Sequence, residues 1–166
     1  HVVRAISRGV DLLLAQPEID PDRIAVMGGS WGGFLSVLTA GVDPRVRCVA
    51  SGFGAGGFRG TYSLCARPLY GLTEAQQQFW FDRLDPINYA SRIRGPVALM
   101  TGTNDLHFWL SSAVATFRKL PPGSRLILAP NCVHTGGFGV RWPNDEWLRL
   151  CFQGASGWPE VVDFQF

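Results

Sequence analysis

The run Gly28-Gly29-Ser30-Trp31-Gly32-Gly33 sets one serine and one tryptophan between two pairs of glycines. It lies where a short apolar stretch, Ile24 to Met27, gives way to a helical pattern from Trp31 to Ala40. A buried strand that reverses sharply into a helix crowds its own backbone. Glycines two residues before and two after the serine, Gly28 and Gly32, leave room for strand and helix to approach. Such a turn strains Ser30, lifts its hydroxyl clear of the sheet edge and aims the Trp31 backbone N–H at the same space. Gly28, Ser30 and Gly32 thus fit G-x-S-x-G in the strand–helix context that makes Ser30 a candidate nucleophile. The plainer alternative is a glycine-rich turn that binds an anion at a helix N-terminus. Neither G-x-G-x-x-G nor G-K-[ST] accompanies it, which argues against a phosphate loop.

The rest of the chain supplies that context. Val2, Val3, Ile6, Val10, Leu13 and Leu14 recur at helical spacing before the Asp20-Pro21-Asp22 turn. Val46 to Ala50 reads as a second strand, followed by a glycine-rich loop from Ser51 to Gly60. Leu72 to Leu84 predicts a helix, with Thr73 and Gln76 in capping-box positions and Asp85-Pro86 as its stop. Strand Val97 to Thr101, helix Trp109 to Leu120, strand Leu126 to Ala129, a loop to Gly139 and a helix from Asn144 to Gly154 complete the order. Apolar strands without polar alternation, separated by helices, predict an α/β fold with a mostly parallel sheet covered on both faces. Residues 51–89 interrupt the alternation and read as a lid-like insert rich in aromatics: Phe53, Phe58, Tyr62, Phe79, Trp80 and Phe81. These line an apolar substrate pocket or simply pack the insert onto the sheet. Phe53, Trp80 and His107 are the pocket candidates.

A serine nucleophile needs a base, and the base an orienting acid. Catalytic groups of parallel α/β sheets sit in loops at the carboxyl ends of the strands. After Val97–Thr101 comes Gly102-Thr103-Asn104-Asp105, and after Leu126–Ala129 comes Pro130-Asn131-Cys132-Val133-His134. Of three histidines, His1 is terminal and His107 is the rival base, so His134 is favoured. Asp105 is favoured as the acid over Asp85, which more simply caps a turn, and over Asp145, which reads as a helix N-terminal acid.

Bulk properties remove several function classes. A chain of 166 residues, 46% hydrophobic and 17% charged, is an ordinary globular domain that buries about 68–70% of its unfolded surface. A net charge of +2 without a basic cluster excludes nucleic acid, and short apolar runs exclude a membrane span. Cys48, Cys65, Cys132 and Cys151 lack C-x-x-C spacing, so no metal site is expected. Cys48 and Cys151 read as small buried hydrophobes, although four cysteines also allow two disulfides.

"PEIDPDRIAVMGGSWGG", "DPINYASRIRGPVALMTGTNDLHF" and "LPPGSRLILAPNCVH", in that order, resemble the α/β-hydrolase superfamily over roughly residues 10 to 155. The nearest branch is that of acetyl xylan esterases and dienelactone hydrolases, bordering on prolyl-oligopeptidase-like serine peptidases. The resemblance implies Ser30 as nucleophile, Asp105 as acid, His134 as base, Trp31 as one oxyanion donor, and no metal or organic cofactor. It further implies a small-molecule ester substrate, with an oligopeptidase-type peptidase and an inactive fragment as the other readings. The family places further strands, and a loop carrying the second oxyanion donor, before the helix that opens this sequence. Nothing resembling them precedes His1, so an N-terminal segment is expected in a longer protein. Pro159 to Phe166 reads as a tail or the start of another strand.

Overall fold

The computed structural model describes residues 1–134 and 144–154; the tail and the end of the loop reaching Gly139 lie outside them. Helix α1 (Val2–Leu14) leads into strand β1 (Ala25–Gly29), helix α2 (Trp31–Val42) and strand β2 (Cys48–Gly52). The segment between β2 and β3 holds helix α3 (Glu74–Arg83) and short 3-10 turns. Strand β3 (Val97–Gly102), helix α4 (Leu110–Phe117), strand β4 (Arg125–Ala129) and helix α5 (Asn144–Gln153) follow. The four strands are parallel and lie in the order β1-β2-β3-β4, so each crossover joins neighbours.

Period-two alternation divides the strand residues between two cores. Val49, Val97 and Leu99 point towards α2 and α4, with Phe34, Val37 and Ala113 among their neighbours. Cys48, Ala50, Ala98 and Met100 point the other way and are covered by Trp147 of α5. Helices therefore cover both faces. Helix α2 is apolar nearly all round and buries residues from Gly33 to Gly41, which marks it as the central helix rather than a surface one. Helix α1 departs from expectation: Val10 is buried, while Val2 and Leu13 are exposed, because the helix meets α2 along a narrow stripe. No helix among the described residues is long and apolar enough to cross a membrane.

The segment 51–89 packs into the main core instead of standing apart from it. Phe58, Ala66, Leu69 and Phe81 are buried in the same cluster as Phe34 and Phe108. Thr73 accepts the Gln76 N–H in the expected capping box. Asp85, 1% exposed, accepts N–H groups from Gly57 (2.8 Å), Phe58 (2.8 Å) and Ile87 (3.1 Å), and so ties the loop after β2 to the turn before β3.

Arg45 fastens α1 to the end of α2. It donates to Asp43 through Nε (2.8 Å) and Nη2 (2.7 Å), to Asp11 (2.6 Å) and to the Ser7 carbonyl (3.2 Å). These bonds hold the Asp43 carboxyl at about 2, below its ordinary 3.8. A carboxyl more acidic in the fold than in the unfolded chain stabilises the fold above its unfolded value, and the gain disappears as pH falls through the folded one. Acid titration of stability is thus expected to show a loss between about pH 4 and pH 2. Asp43→Asn should remove that part of the slope, as read by urea unfolding at a series of pH values.

Candidate active site

Ser30 sits between β1 and α2 with φ 56 and ψ −123, a conformation that L residues rarely adopt. Its N–H donates to Gly52 O at 2.7 Å, and its carbonyl accepts the Phe34 N–H at 3.1 Å. The steric reason for the glycines is specific. A Cβ on Gly28 would stand 2.5 Å from the Gly32 carbonyl carbon. A Cβ on Gly33 would meet Ser51 Oγ at 2.6 Å and Gly52 O at 3.0 Å. At Gly32 a Cβ would meet nothing within 4 Å, so the expectation that Gly32 itself provides clearance is corrected: its backbone is the obstacle that Gly28 avoids. The second glycine pair matters through Gly33, where α2 is pressed against β2.

The other two groups come from the ends of β3 and β4, and three hydrogen bonds stitch those loops together. Thr103 N donates to Ala129 O (3.0 Å), Asn104 N to Cys132 O (3.0 Å), and Asn131 N to Thr103 Oγ1 (2.8 Å). A Cβ on Gly102 would lie 2.1 Å from Cys132 O, so only glycine permits this approach. Asp105 is 4% exposed; its Oδ1 accepts the N–H groups of His107 (2.8 Å) and Phe108 (3.1 Å). Its oxygens lie 3.0 and 3.1 Å from His134 Nδ1, and His134 Nε2 lies 2.7 Å from Ser30 Oγ. With Nδ1 protonated towards the carboxylate, Nε2 is free to accept the serine proton.

Trp31 is the first residue of α2, so its N–H belongs to the turn whose amides have no intrahelical acceptor. Its indole is half exposed and stacks on Phe34 at 4.4 Å between centroids. The His134 ring is walled in by Phe53 (5.5 Å), Phe108 (5.8 Å) and His107 (4.1 Å). Phe53 is buried and, like Ser30, has a positive φ of 53. His107 Nδ1 is buried without a hydrogen-bond partner among the described residues, 3.9 Å from Asp105 Oδ1. Leu106, His107, Val133 and His134 border an open hollow beside the imidazole. Trp80 is half buried and stacks on Phe58 at 5.6 Å, one layer behind Phe34. Of the rival acids, Asp85 is engaged by three backbone N–H groups in its own loop, and Asp145 lies on the exposed first turn of α5.

Asp105, His107 and His134 offer ligand atoms within 4.8 Å of one another. A metal ion using His134 Nδ1 or Nε2 would displace a hydrogen bond that links Ser30, His134 and Asp105. The residues that sequence patterns left unmarked are Gly33, Gly102 and Thr103. All three stand inside the motifs around Ser30 and Asp105, where only the neighbouring serine and aspartate carried a chemical signal.

The chain is similar to several known hydrolases. An acetyl esterase of Xylanibacter ruminicola is 35% identical over 112 residues, covering 63% of this chain and 26% of its own. The acylamino-acid-releasing enzyme of Sus scrofa is 28% identical over 151 residues, covering 80% of this chain and 20% of its own. Among solved structures, acetyl xylan esterase 1 from Thermoanaerobacterium sp. JW/SL YS485 superposes with a TM-score of 0.78 at 22% identity, over 92% of this chain and 53% of that one. The acylaminoacyl peptidase of Pyrococcus horikoshii reaches a TM-score of 0.66 at 18% identity, over 80% of this chain and 23% of that one. The fold is that of the α/β hydrolases, and the chain spans 26% and 20% of the length of these two curated relatives and 53% of the esterase structure. The sequence model of the prolyl oligopeptidase family matches residues 2–139, most of the chain, and the protein belongs to that family.

Proposed function

We propose that the protein is a serine hydrolase that cleaves carboxylic esters of short acyl groups, acetylated carbohydrates among them, through an acyl-enzyme on Ser30. The observation that carries this reading is the continuous path from Ser30 Oγ to His134 Nε2 (2.7 Å) and from His134 Nδ1 to the buried Asp105 carboxylate (3.0 Å). His134 takes the Ser30 proton as Oγ attacks the acyl carbon. The Trp31 N–H stabilises the oxyanion, and a second donor comes from the loop that the family carries ahead of its first helix. His134 then protonates the leaving alcohol, activates a water, and returns the proton to Ser30 as the acid is released. Asp105 fixes the tautomer and stabilises the imidazolium.

Two similarities favour an ester over an amide: the acetyl esterase of Xylanibacter ruminicola has the highest identity of the relatives above, and an acetyl xylan esterase the higher TM-score. The peptidase reading rests on a different observation, the longer stretch of this chain matched by acylamino-acid-releasing enzymes. Either chemistry uses the same three side chains. The hollow beside His134 offers Leu106 and Val133 as apolar walls for a small acyl group.

Three outcomes test this reading. A fluorophosphonate probe should label Ser30, located by mass spectrometry, with Ser30→Ala and His134→Ala each abolishing the adduct. A label elsewhere, or one that survives Ser30→Ala, overturns the assignment. Asp105→Asn should leave the fold intact and lower kcat on the order of 10³- to 10⁴-fold, since an amide stabilises the wrong imidazole tautomer. In a substrate panel, kcat/KM for an aryl acetate or acetylated xylo-oligosaccharide should exceed that for an acylaminoacyl anilide by at least about 100-fold. The reverse ratio would assign a peptidase.

A further inference from the structure

The chemistry at Ser30 makes no use of the four cysteines, which are all free thiols. Two of them meet. Cys48 on β2 is fully buried and Cys151 on α5 half buried, and their Sγ atoms lie 2.8 Å apart across 103 residues of chain. That is within about one ångström of the ~2.05 Å disulfide bond and closer than non-bonded sulfurs usually rest. The approach is set by how the helix docks, not by one side chain. Trp147, one turn earlier on the same face of α5, is fully buried and donates Nε1–H to Val49 O at 2.8 Å. Adjacent residues of β2 thus receive adjacent turns of α5. The other two thiols are placed differently: Cys132 donates to Val133 O at 3.3 Å, and Cys65 is a half-buried residue packed against the main core.

We propose that Cys48 and Cys151 are an oxidation site: a small disulfide of the glutathione class converts them to an intramolecular disulfide that pins α5 to β2. The Cys151 thiolate attacks one sulfur of the oxidant, forming a mixed disulfide and displacing one thiolate. Cys48 then loses its proton and attacks Cys151 Sγ, which forms the Cys48–Cys151 bond and displaces the second thiolate. Two electrons pass from the pair to the oxidant, and the two cysteine protons end on the two small thiols released. The order of attack follows from position. Cys151 is the more accessible sulfur, and the hydrogen bond it receives from Cys48 lowers its pKa. That same bond, together with burial, raises the pKa of Cys48. Since α5 begins ten positions after His134, the cross-link ties the chain beyond the proposed base to an interior strand of the sheet. The site stands whether or not Ser30 is a nucleophile.

The test equilibrates the purified protein with excess oxidised glutathione, alkylates the remaining thiols, and maps peptides without reduction. The expected result is a mass about 2 Da lower before alkylation, two alkylated cysteines instead of four, and a linked peptide joining Cys48 to Cys151. The oxidised form should melt on the order of 5–10 °C above the reduced one, and dithiothreitol should reverse both changes. Cys151→Ser should abolish the link and the melting difference, while Cys48→Ala should leave a stable glutathione adduct on Cys151. Four alkylated thiols after equilibration would overturn the proposal, as would a linked peptide through Cys65 or Cys132.

Discussion

The site depends on how closely α2 approaches β1 and β2. Ser30 holds a positive φ because the chain must leave β1 and enter a helix whose first turn lies against the end of β2. A strained residue of this kind costs on the order of 1–3 kcal/mol and persists only where its surroundings over-determine it. Here they do. The Ser30 N–H is bound by Gly52 O, the Phe34 N–H is bound by Ser30 O, and Gly33 is packed against Ser51 and Gly52. The rest of α2 is buried among Val37, Leu38 and Ala40, so the helix cannot relax away from the sheet without opening the core. The half-buried Ser30 hydroxyl is thus held in place by packing that begins at Gly33, three residues later.

Asp105 and His134 depend on a second close approach, between the loops after β3 and β4. Neither residue is near the other in sequence, and each sits on a segment without regular structure. What fixes their separation is backbone: Gly102 lets the Cys132 carbonyl come in, and Thr103 and Asn104 close hydrogen bonds across the gap. Parallel neighbours β3 and β4 set the loops side by side, and the Asp105 carboxylate is then steadied by the N–H groups of His107 and Phe108. The imidazole inherits its orientation from that carboxylate and from the aromatic rings around it.

This division explains what the sequence revealed and what it hid. The order and type of the strands and α-helices were legible among the described residues, because apolar strands, caps and turn residues are local signals. The 3-10 turns at Arg67–Gly71, Pro86–Asn88 and Ala90–Arg92 were not. Boundaries moved by one to three residues at most positions, as when β1 and β2 each ran on into the glycines that follow. The serine was legible from its glycines, and Asp105 and His134 from their places after strands. The steric roles were not. Gly32 looked equivalent to Gly28 by symmetry, yet the requirement falls on Gly28 and Gly33, since only the folded backbone says which atom faces which. The Cys48–Cys151 contact was equally hidden: four scattered cysteines permit several pairings, and only the docking of α5 selects one.

The aromatic residues between β2 and β3 carry this logic towards specificity. Trp31 stacks on Phe34, Phe34 lies against Phe58, and Phe58 stacks on Trp80, so the elbow and the segment 51–89 share one continuous ring system. Phe58 is therefore structural: removing it would leave a cavity beside Phe34, the ring on which Trp31 stacks. Tyr62, Leu72 and Phe79 are exposed, and of these Tyr62 stacks on the half-buried Tyr70 at 4.6 Å between centroids. Variation at those outer positions leaves the packing of the inner rings in place, whereas variation at Phe34 or Phe58 disturbs the rings on which Trp31 rests. On the hydrolase reading proposed above, the hollow by Leu106 and Val133 is where substitution alters what a substrate meets, because those side chains reach solvent while the backbone that holds Ser30, Asp105 and His134 lies elsewhere.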